Sequence, residues 1–312
     1  MEFSIGKWLM NHKGEYGLSS SGMYGVLDIN KYFNNYELKD DNDLKDEIAS
    51  LHNVNKNNIV ITHGATEAFS LVMFYLKKRY NGYNVNYPEY ELINKTPELL
   101  GYNNGSDVFA GSNPNNPTGT LIKVNNENKI NVIDETFMEF YQDLDKITYN
   151  DGYIINTFTK LYAGDDLRLG YIVTPNIEDA EKIEGYKGLL TEGVSRINVS
   201  VGYKILKDND NIVNYVRNII NNNHSILIKN KGKLKFYKNI EPLNVPVSFM
   251  DYSNYTDMDS DDLSEKLAEK GIIAAPARFF GVKGPYLRIC ITRLNFEESY
   301  SKLLDALNEV KN

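Results

Sequence analysis

Lys160 closes the run TFTK at 157–160, directly after the apolar YIIN, and Arg168 follows eight residues on, with Asp165 and Asp166 between them. A lysine desolvated beside other cations loses its proton readily, so it can act first as a nucleophile and then as a general base. The plain alternative for any one of the 34 lysines and arginines is a solvated side chain, and for Arg168 a surface pair with Asp165 or Asp166. Asp134 ends the apolar run INVID, where a buried carboxylate is costly unless a cation meets it or its oxygens cap a turn. Gly64, Ala65 and Thr66 stand where a strand turns into a helix. Free N–H groups at such a turn attract a phosphate and Gly permits its close approach, although any α/β protein has such turns. Thr157 and Thr159 can add hydroxyl donors beside them. Arg288, in YLRICI, needs a carboxylate partner inside an apolar strand, supplied by the chain or by a ligand that its planar fork can clamp. Asn116 in NNPTG and Tyr90 in YPEY are, as bare strings, a turn signal and a packed aromatic.

The hydrophobic pattern supplies the elements that hold these side chains. DLKDEIASLHNV, from Asp43, carries Leu44, Ile48 and Leu51 at helical spacing. NIVITHG is a short apolar run, and ATEAFSLVMFYLKKRY behind it is long enough for a helix with basic residues in its last turn. YNVNYPEY at 83–90, VFAG at 108–111, KINVIDE at 129–135, GYIINTF at 152–158 and LGYIVTP at 169–175 read as further strands, short and apolar as strands covered on both faces are. The pattern is alternating α/β. The first forty or so residues read as loop, with SSSG at 19–22. Beyond Pro175 a helical region through roughly 178–232 leads to LKFY, VPVSFMDY and YLRICI, with helices at 260–270 and 296–311, a smaller α+β unit.

A chain of 312 residues, 42% hydrophobic and 24% charged, can bury a sizeable core. Its net charge of −8 leaves no basic field for a phosphate backbone, so a small substrate is expected and nucleic acid is not. Cys290 is the only cysteine, which excludes an intrachain disulfide and a thiolate metal cluster and fits a reducing compartment. The start MEFSIGKWLM has no long apolar core and no later stretch suits a bilayer, so a soluble cytoplasmic protein without a membrane partner is expected. No GxGxxG follows the first strand, which argues against a nicotinamide-binding fold.

Taken in order, HGATEA at 63–68, YPEY at 87–90, SNPNNPTG at 112–119, IDETF at 133–137, TFTKLYAGDDLRLGY at 157–171 and YLRI at 286–289 resemble the fold-type I aminotransferases, which use pyridoxal phosphate (PLP). Within them the pattern is similar to the histidinol-phosphate aminotransferase and threonine-phosphate decarboxylase branch, from about residue 18 to the C-terminus. The resemblance implies that Lys160 holds PLP as a Schiff base and shuttles the α-proton, while Asp134 keeps the pyridine nitrogen protonated. Gly64, Ala65, Thr66, Thr157, Thr159 and Arg168 would hold its phosphate, Asn116 would bond its phenolic oxygen, and Tyr90 would stack on its ring. Arg288 would clamp the substrate α-carboxylate, Gly22 would offer a backbone contact near it, and Tyr36 would reach the neighbouring subunit's phosphate in a homodimer. Implied too are an N-terminal segment, 1–25, associated with a small domain; a large PLP-binding domain, 26–185, with a mostly parallel sheet and helices on both faces; and a small α+β domain, 186–312. The expected reaction moves an amino group from an amino-acid donor to a 2-oxo-acid acceptor. A decarboxylase on the same cofactor is the alternative, since DETF resembles the DEAF of the threonine-phosphate enzymes. A non-catalytic module is a third reading, against which the joint retention of Lys160, Asp134, Arg168 and Arg288 argues.

Three departures from that pattern stand out. Phe137 occupies the place of a usual tyrosine, removing one hydrogen bond to the cofactor's phenolic oxygen. The stretches from Thr66 to Asn113 and from Gly119 to Asp134 are short for the family. Ala274 and Ala275 stand where the histidinol-phosphate branch carries a phosphate-binding arginine, leaving Arg278 and Arg293 as candidate replacements and the side-chain specificity open.

Overall fold

The computed structural model describes residues 4–34, 37–124, 129–146 and 152–310. The chain begins with a helix where the sequence pattern reads as loop. α1 (Ser4–Asn11) buries Ile5 and Trp8 in one cluster with Phe249, Phe279 and Phe280. The Glu91 carboxylate accepts from the hydroxyl of Ser4 and, at 2.7 Å, from the amide of Ile5. Two turns of helix are too few to stand alone in water, so these distant partners make it, and local periodicity could not reveal them.

After the short strand β1 (Tyr16–Gly17) come α2 (Asp41–His52), β2 (Ile59–Thr62), α3 (Ala65–Lys77), β3 (Gly82–Asn84), α4 (Glu91–Leu99), β4 (Asn103–Asn104), β5 (Val108–Ser112), β6 (Ile130–Asp134), α5 (Met138–Tyr141), β7 (Gly152–Thr157) and β8 (Gly170–Val173). The strand expected over 83–90, breaking at Pro88, already stops at Asn84; Tyr87-Pro88 follows in cis, and α4, with Pro97 inside it, starts directly after that stretch at Glu91. β2 to β8 form a seven-stranded sheet of order β2-β8-β7-β6-β5-β3-β4, parallel except for β8, which runs antiparallel to both neighbours. Strand residues alternate between two cores, as the pleat requires. Val60, Ile155 and Ile172 pack with α3, while Ile59, Ile61, Ile154 and Val173 pack with α2 on the other face. Such double coverage is why these strands read as unbroken apolar runs.

The helical stretch after Pro175 divides into α6 (Ile177–Leu190), α7 (Arg196–Leu206) and α8 (Asn209–Lys229). Residues 185 and 186, where the sequence texture suggested a division, lie within α6, which packs on α3, as α7 packs on α2. β9 (Lys235–Phe236), β10 (Val247–Asp251), α9 (Ser260–Glu269), β11 (Ile272–Ile273), β12 (Ala275–Pro276), β13 (Tyr286–Cys290) and α10 (Phe296–Glu309) complete the chain. An antiparallel sheet of order β12-β13-β10-β9 places Arg288 opposite Phe249 and Ala275, and β1 pairs parallel with β11. The architecture is α/β, with a large, mostly parallel sheet and helices on both faces. Among the described residues no helix is long and apolar enough to cross a membrane.

Candidate active site

Sheet register brings the chemistry together. Ser112, Asp134 and Thr157 end three adjacent strands, Ser112 opposite Asp134 and Thr157 opposite Gly170 of β8. The carboxyl edge of such a sheet is where α/β folds bind ligands. A cavity of about 630 Å3 opens there, and Lys160, Asp134, Thr157, Thr159, Arg168, Arg288, Ala65, Thr66, Tyr90 and Asn116 all line it. Ala65 and Arg288, 223 positions apart in the chain, thus meet in one space.

At one end, Gly64 precedes the first turn of α3 with φ at +84°, a conformation that only glycine adopts freely. A Cβ there would lie 3.1 Å from Nη2 of Arg168, so the bare backbone keeps a gap between the helix N-terminus and the guanidinium. Thr157 and Thr159 share a 2.8 Å hydroxyl contact in the same corner. Arg168 also makes the bland contact open to it, a 3.5 Å pair with Asp165, both side chains about half exposed, which contributes little. Helix N-terminus, hydroxyls and guanidinium form an anion cradle.

Asp134 accepts from the Thr136 amide at 2.9 Å, so its capping role is present. Burial raises its pKa, and the charge of Lys160 opposes that rise. Lys160 is held below the ordinary lysine value, first by burial and then by the charge of Arg288. Burial pushes the Tyr90 phenol up to about 12, so it faces the cavity as a neutral ring.

Arg288 decides between its two sequence readings. It is 2% exposed, and Nη1 donates to Oδ1 of Asn116 at 3.2 Å while Nη2 donates to the Ser19 carbonyl at 2.6 Å. Both partners are neutral, Nε is buried with no partner, and no described carboxylate lies within ion-pair distance. A buried cation without an anion costs several kcal/mol, roughly, unless a ligand brings one. Its fork faces the cavity that holds Lys160.

The family model for "Aminotransferase class I and II" matches residues 91–307. The chain belongs to the class I and II aminotransferases. It is 28% identical over 285 residues to the histidinol-phosphate aminotransferase of Brachyspira hyodysenteriae, covering 80% of this chain and 77% of that one. It is 27% identical over 330 residues to histidinol-phosphate aminotransferase 2 of Archaeoglobus fulgidus, covering 97% and 92%. A crystal structure of a PLP-dependent aminotransferase from Streptococcus suis superposes with a TM-score of 0.85 at 19% identity, over 100% of this chain and 99% of that one, and shares its fold. This aminotransferase is therefore a PLP-dependent enzyme of fold type I, near the histidinol-phosphate branch. Its donor set fits the cofactor: an anion cradle in which a Cβ at Gly64 would intrude, a lysine of lowered pKa, and a carboxylate across the cavity.

Two expected residues stand apart. Gly22 is buried but absent from the cavity wall, its neighbours Ser19, Ser20 and Ser21 lining it instead; a Cβ at Gly22 would strike the Tyr24 ring at 2.4 Å. Tyr36 lies outside the described residues. Phe137 lines the cavity edge-on to Phe140, ring centroids 6.2 Å apart. Sequence reasoning did not single out Tyr24, whose ring lies 5.8 Å from the Lys160 ammonium, nor Glu89, which ties the Tyr90 loop to Ser112 and Asn115. The SSSG string was the available signal for the first; an acid beside a proline gave a weak one for the second.

Proposed function

We propose that this aminotransferase works on α-amino acids and 2-oxo acids with Lys160 as the cofactor-holding base and Arg288 as the α-carboxylate clamp. The observation that carries the reading is the buried Arg288 guanidinium, which faces the lysine's cavity with only neutral partners. An incoming carboxylate would meet a fork already oriented by Asn116 and the Ser19 carbonyl, which fixes the substrate before any bond changes. PLP, when bound, supplies an electron sink for the charge left at the substrate α-carbon. Lys160, its pKa lowered by burial, is suited to take that proton and return it on the other side of the exchange. Asp134 would hold the ring nitrogen protonated, Tyr90 would stack on the ring and Asn116 would bond its phenolic oxygen. Gly64, Ala65, Thr66, Thr157, Thr159 and Arg168 would take the phosphate.

We also infer a cytoplasmic homodimer in which Tyr36 reaches the partner's cofactor phosphate; the lone, buried Cys290 suits a reducing compartment. The expected association of residues 1–25 with the small domain is supported by Trp8, whose ring centroid lies 5.6 Å from that of Phe279.

The test is the visible absorption of the purified protein with PLP, before and after borohydride, with mass mapping of the modified peptide. Label on Lys160 and a loss of roughly 10^3–10^4-fold in transamination for Lys160→Ala are expected. Label spread over surface lysines would overturn the assignment, and carbon dioxide release in place of amino transfer would select the decarboxylase.

A further inference from the structure

Glu89 has no place in the roles above, yet it is an acid buried beside them. It is 1% exposed, and instead of a cation its carboxylate meets four neutral donors. Oε1 accepts from the Tyr90 amide at 2.7 Å and from the Ser112 hydroxyl. Oε2 accepts from the Ser112 amide at 2.8 Å and from Nδ2 of Asn115 at 3.1 Å. These donors fill both oxygens of the ionised form, whereas a protonated carboxyl would point a hydrogen at one of them. Burial pushes the group up to about 8 against their pull, and the charge of Asp134 on β6 pushes the same way. An acid kept in such a ring fixes the segments that supply the donors.

Glu89 does not line the cavity, whereas Tyr90, Ser112 and Asn116 do, so its influence travels through them. A hydroxyl has one proton, and Ser112 gives it to Glu89. The oxygen then turns its lone pairs to the Asn116 amide, which donates to it at 2.8 Å. Asn116 in turn presents Oδ1 to Nη1 of Arg288 at 3.2 Å. Asn115 uses Nδ2 on Glu89 and Oδ1 on the amide and hydroxyl of Thr118, so the turn that carries Asn116 is pinned on both sides. An unbroken run of hydrogen bonds thus leads from a buried acid to the guanidinium that meets the substrate.

We propose that Glu89 is a positioning residue, whose carboxylate aims the Arg288 fork at the substrate α-carboxylate through Ser112 and Asn116. The inference rests on the assignment of Arg288 to that α-carboxylate. Two substitutions probe the run without emptying it. Glu89→Gln keeps the shape of the side chain, but its amide faces two donors whichever way it turns. Ser112→Ala removes the link and leaves Glu89 its amide donors.

The test compares L-alanine with ethylamine, the same amine without its carboxylate, in titrations of the visible band of the PLP-loaded protein. It is run above the Glu89 value, where the carboxylate is charged. Either variant is expected to weaken L-alanine by roughly 10-fold or more and ethylamine by roughly 2-fold at most, the scale of a misaimed clamp. A second readout needs no cofactor. Phenylglyoxal labelling of Arg288 in the cofactor-free protein, mapped by mass, is expected to quicken by roughly 10-fold in both variants, the worth of one hydrogen bond. The exposed Arg278 should label at its native rate. Equal weakening of L-alanine and ethylamine, or unchanged labelling of Arg288, would overturn the proposal. So would a loss in Glu89→Gln with none in Ser112→Ala, and if the first does not fold, the second carries both readouts. Native protein that takes L-alanine no better than ethylamine counts instead against Arg288 as the clamp.

Discussion

The two ends of the cavity are built on opposite electrostatic plans. At the sheet edge, charges meet within the protein: Arg168 has Asp165, and Asp134 and Lys160 moderate each other. Along the seam of residues 17–20 and 288–293, two arginines, Arg288 and Arg293, have only neutral partners among the described residues: carbonyl and amide oxygens for both, and for Arg288 the Phe280 ring, 5.1 Å from its guanidinium carbon. The first end carries part of its own counter-charge when empty, which leaves only the burial of Lys160 and Asp134 to be offset. The second is held in an unfavourable state that an anionic substrate relieves, which is how a binding site trades folding stability for affinity.

Arg288→Met is the sharpest way to break that contrast, because it replaces a buried cation with an apolar chain of similar length. Catalytic efficiency toward any α-amino acid is expected to fall by roughly 10^2–10^3-fold, the scale of losing a buried charged clamp. Without ligand, the variant is expected to be more stable by about 1 kcal/mol or more in urea melts, since Asn116 and Ser19 can turn to water in the cavity. A destabilised variant would mean that Arg288 has a structural counter-charge, and the comparison would fail.

The same contrast explains what is legible in the sequence. Lys160, Asp134, Arg168 and the Gly64 turn sit in short local strings whose spacing reflects one strand or one turn, so their positions survive without knowledge of the fold. The seam is made of segments some 270 residues apart, and nothing near Ser19 or Arg293 announces that they meet. α1 is hidden for a related reason: its two buried residues find partners at Phe249 and Phe279, far along the chain. α4 is hidden differently, by Pro97 inside it and by the strand-like YNVNY before it. Where burial on both faces sets the pattern, as in β2, β5, β6, β7 and β8, the strands are read within a residue or two.

A smaller effect sharpens the sheet-edge half. Burial lowers the Lys160 pKa from its ordinary 10.5, so the folded chain binds fewer protons there than the unfolded chain does. Folding is therefore penalised while the lysine is charged, and the penalty eases as pH rises through the folded value toward 10.5. Lys160→Met, measured without cofactor, is expected to melt above the native protein by about 2–4 °C near neutral pH, the scale of 1 kcal/mol in a large domain. The gap should close as pH approaches 10.5. A gap that stays constant with pH would place Lys160 in solvent.

The smallest effect tests the one substitution at the cofactor end. Phe137 is 3% exposed on the cavity wall, edge-on to Phe140, and offers no hydroxyl where the resemblance sets a tyrosine. A hydrogen bond to the cofactor's phenolic oxygen favours its ionised form, so the chain without it should hold a proton on the cofactor to higher pH. Phe137→Tyr is expected to lower the midpoint of the visible-band titration by about one pH unit, the usual worth of one hydrogen bond to a charged oxygen. Coincident midpoints would show that the added hydroxyl does not reach the cofactor, and would place the control of its proton with Asn116 and the nearby positive charges of Lys160 and Arg288.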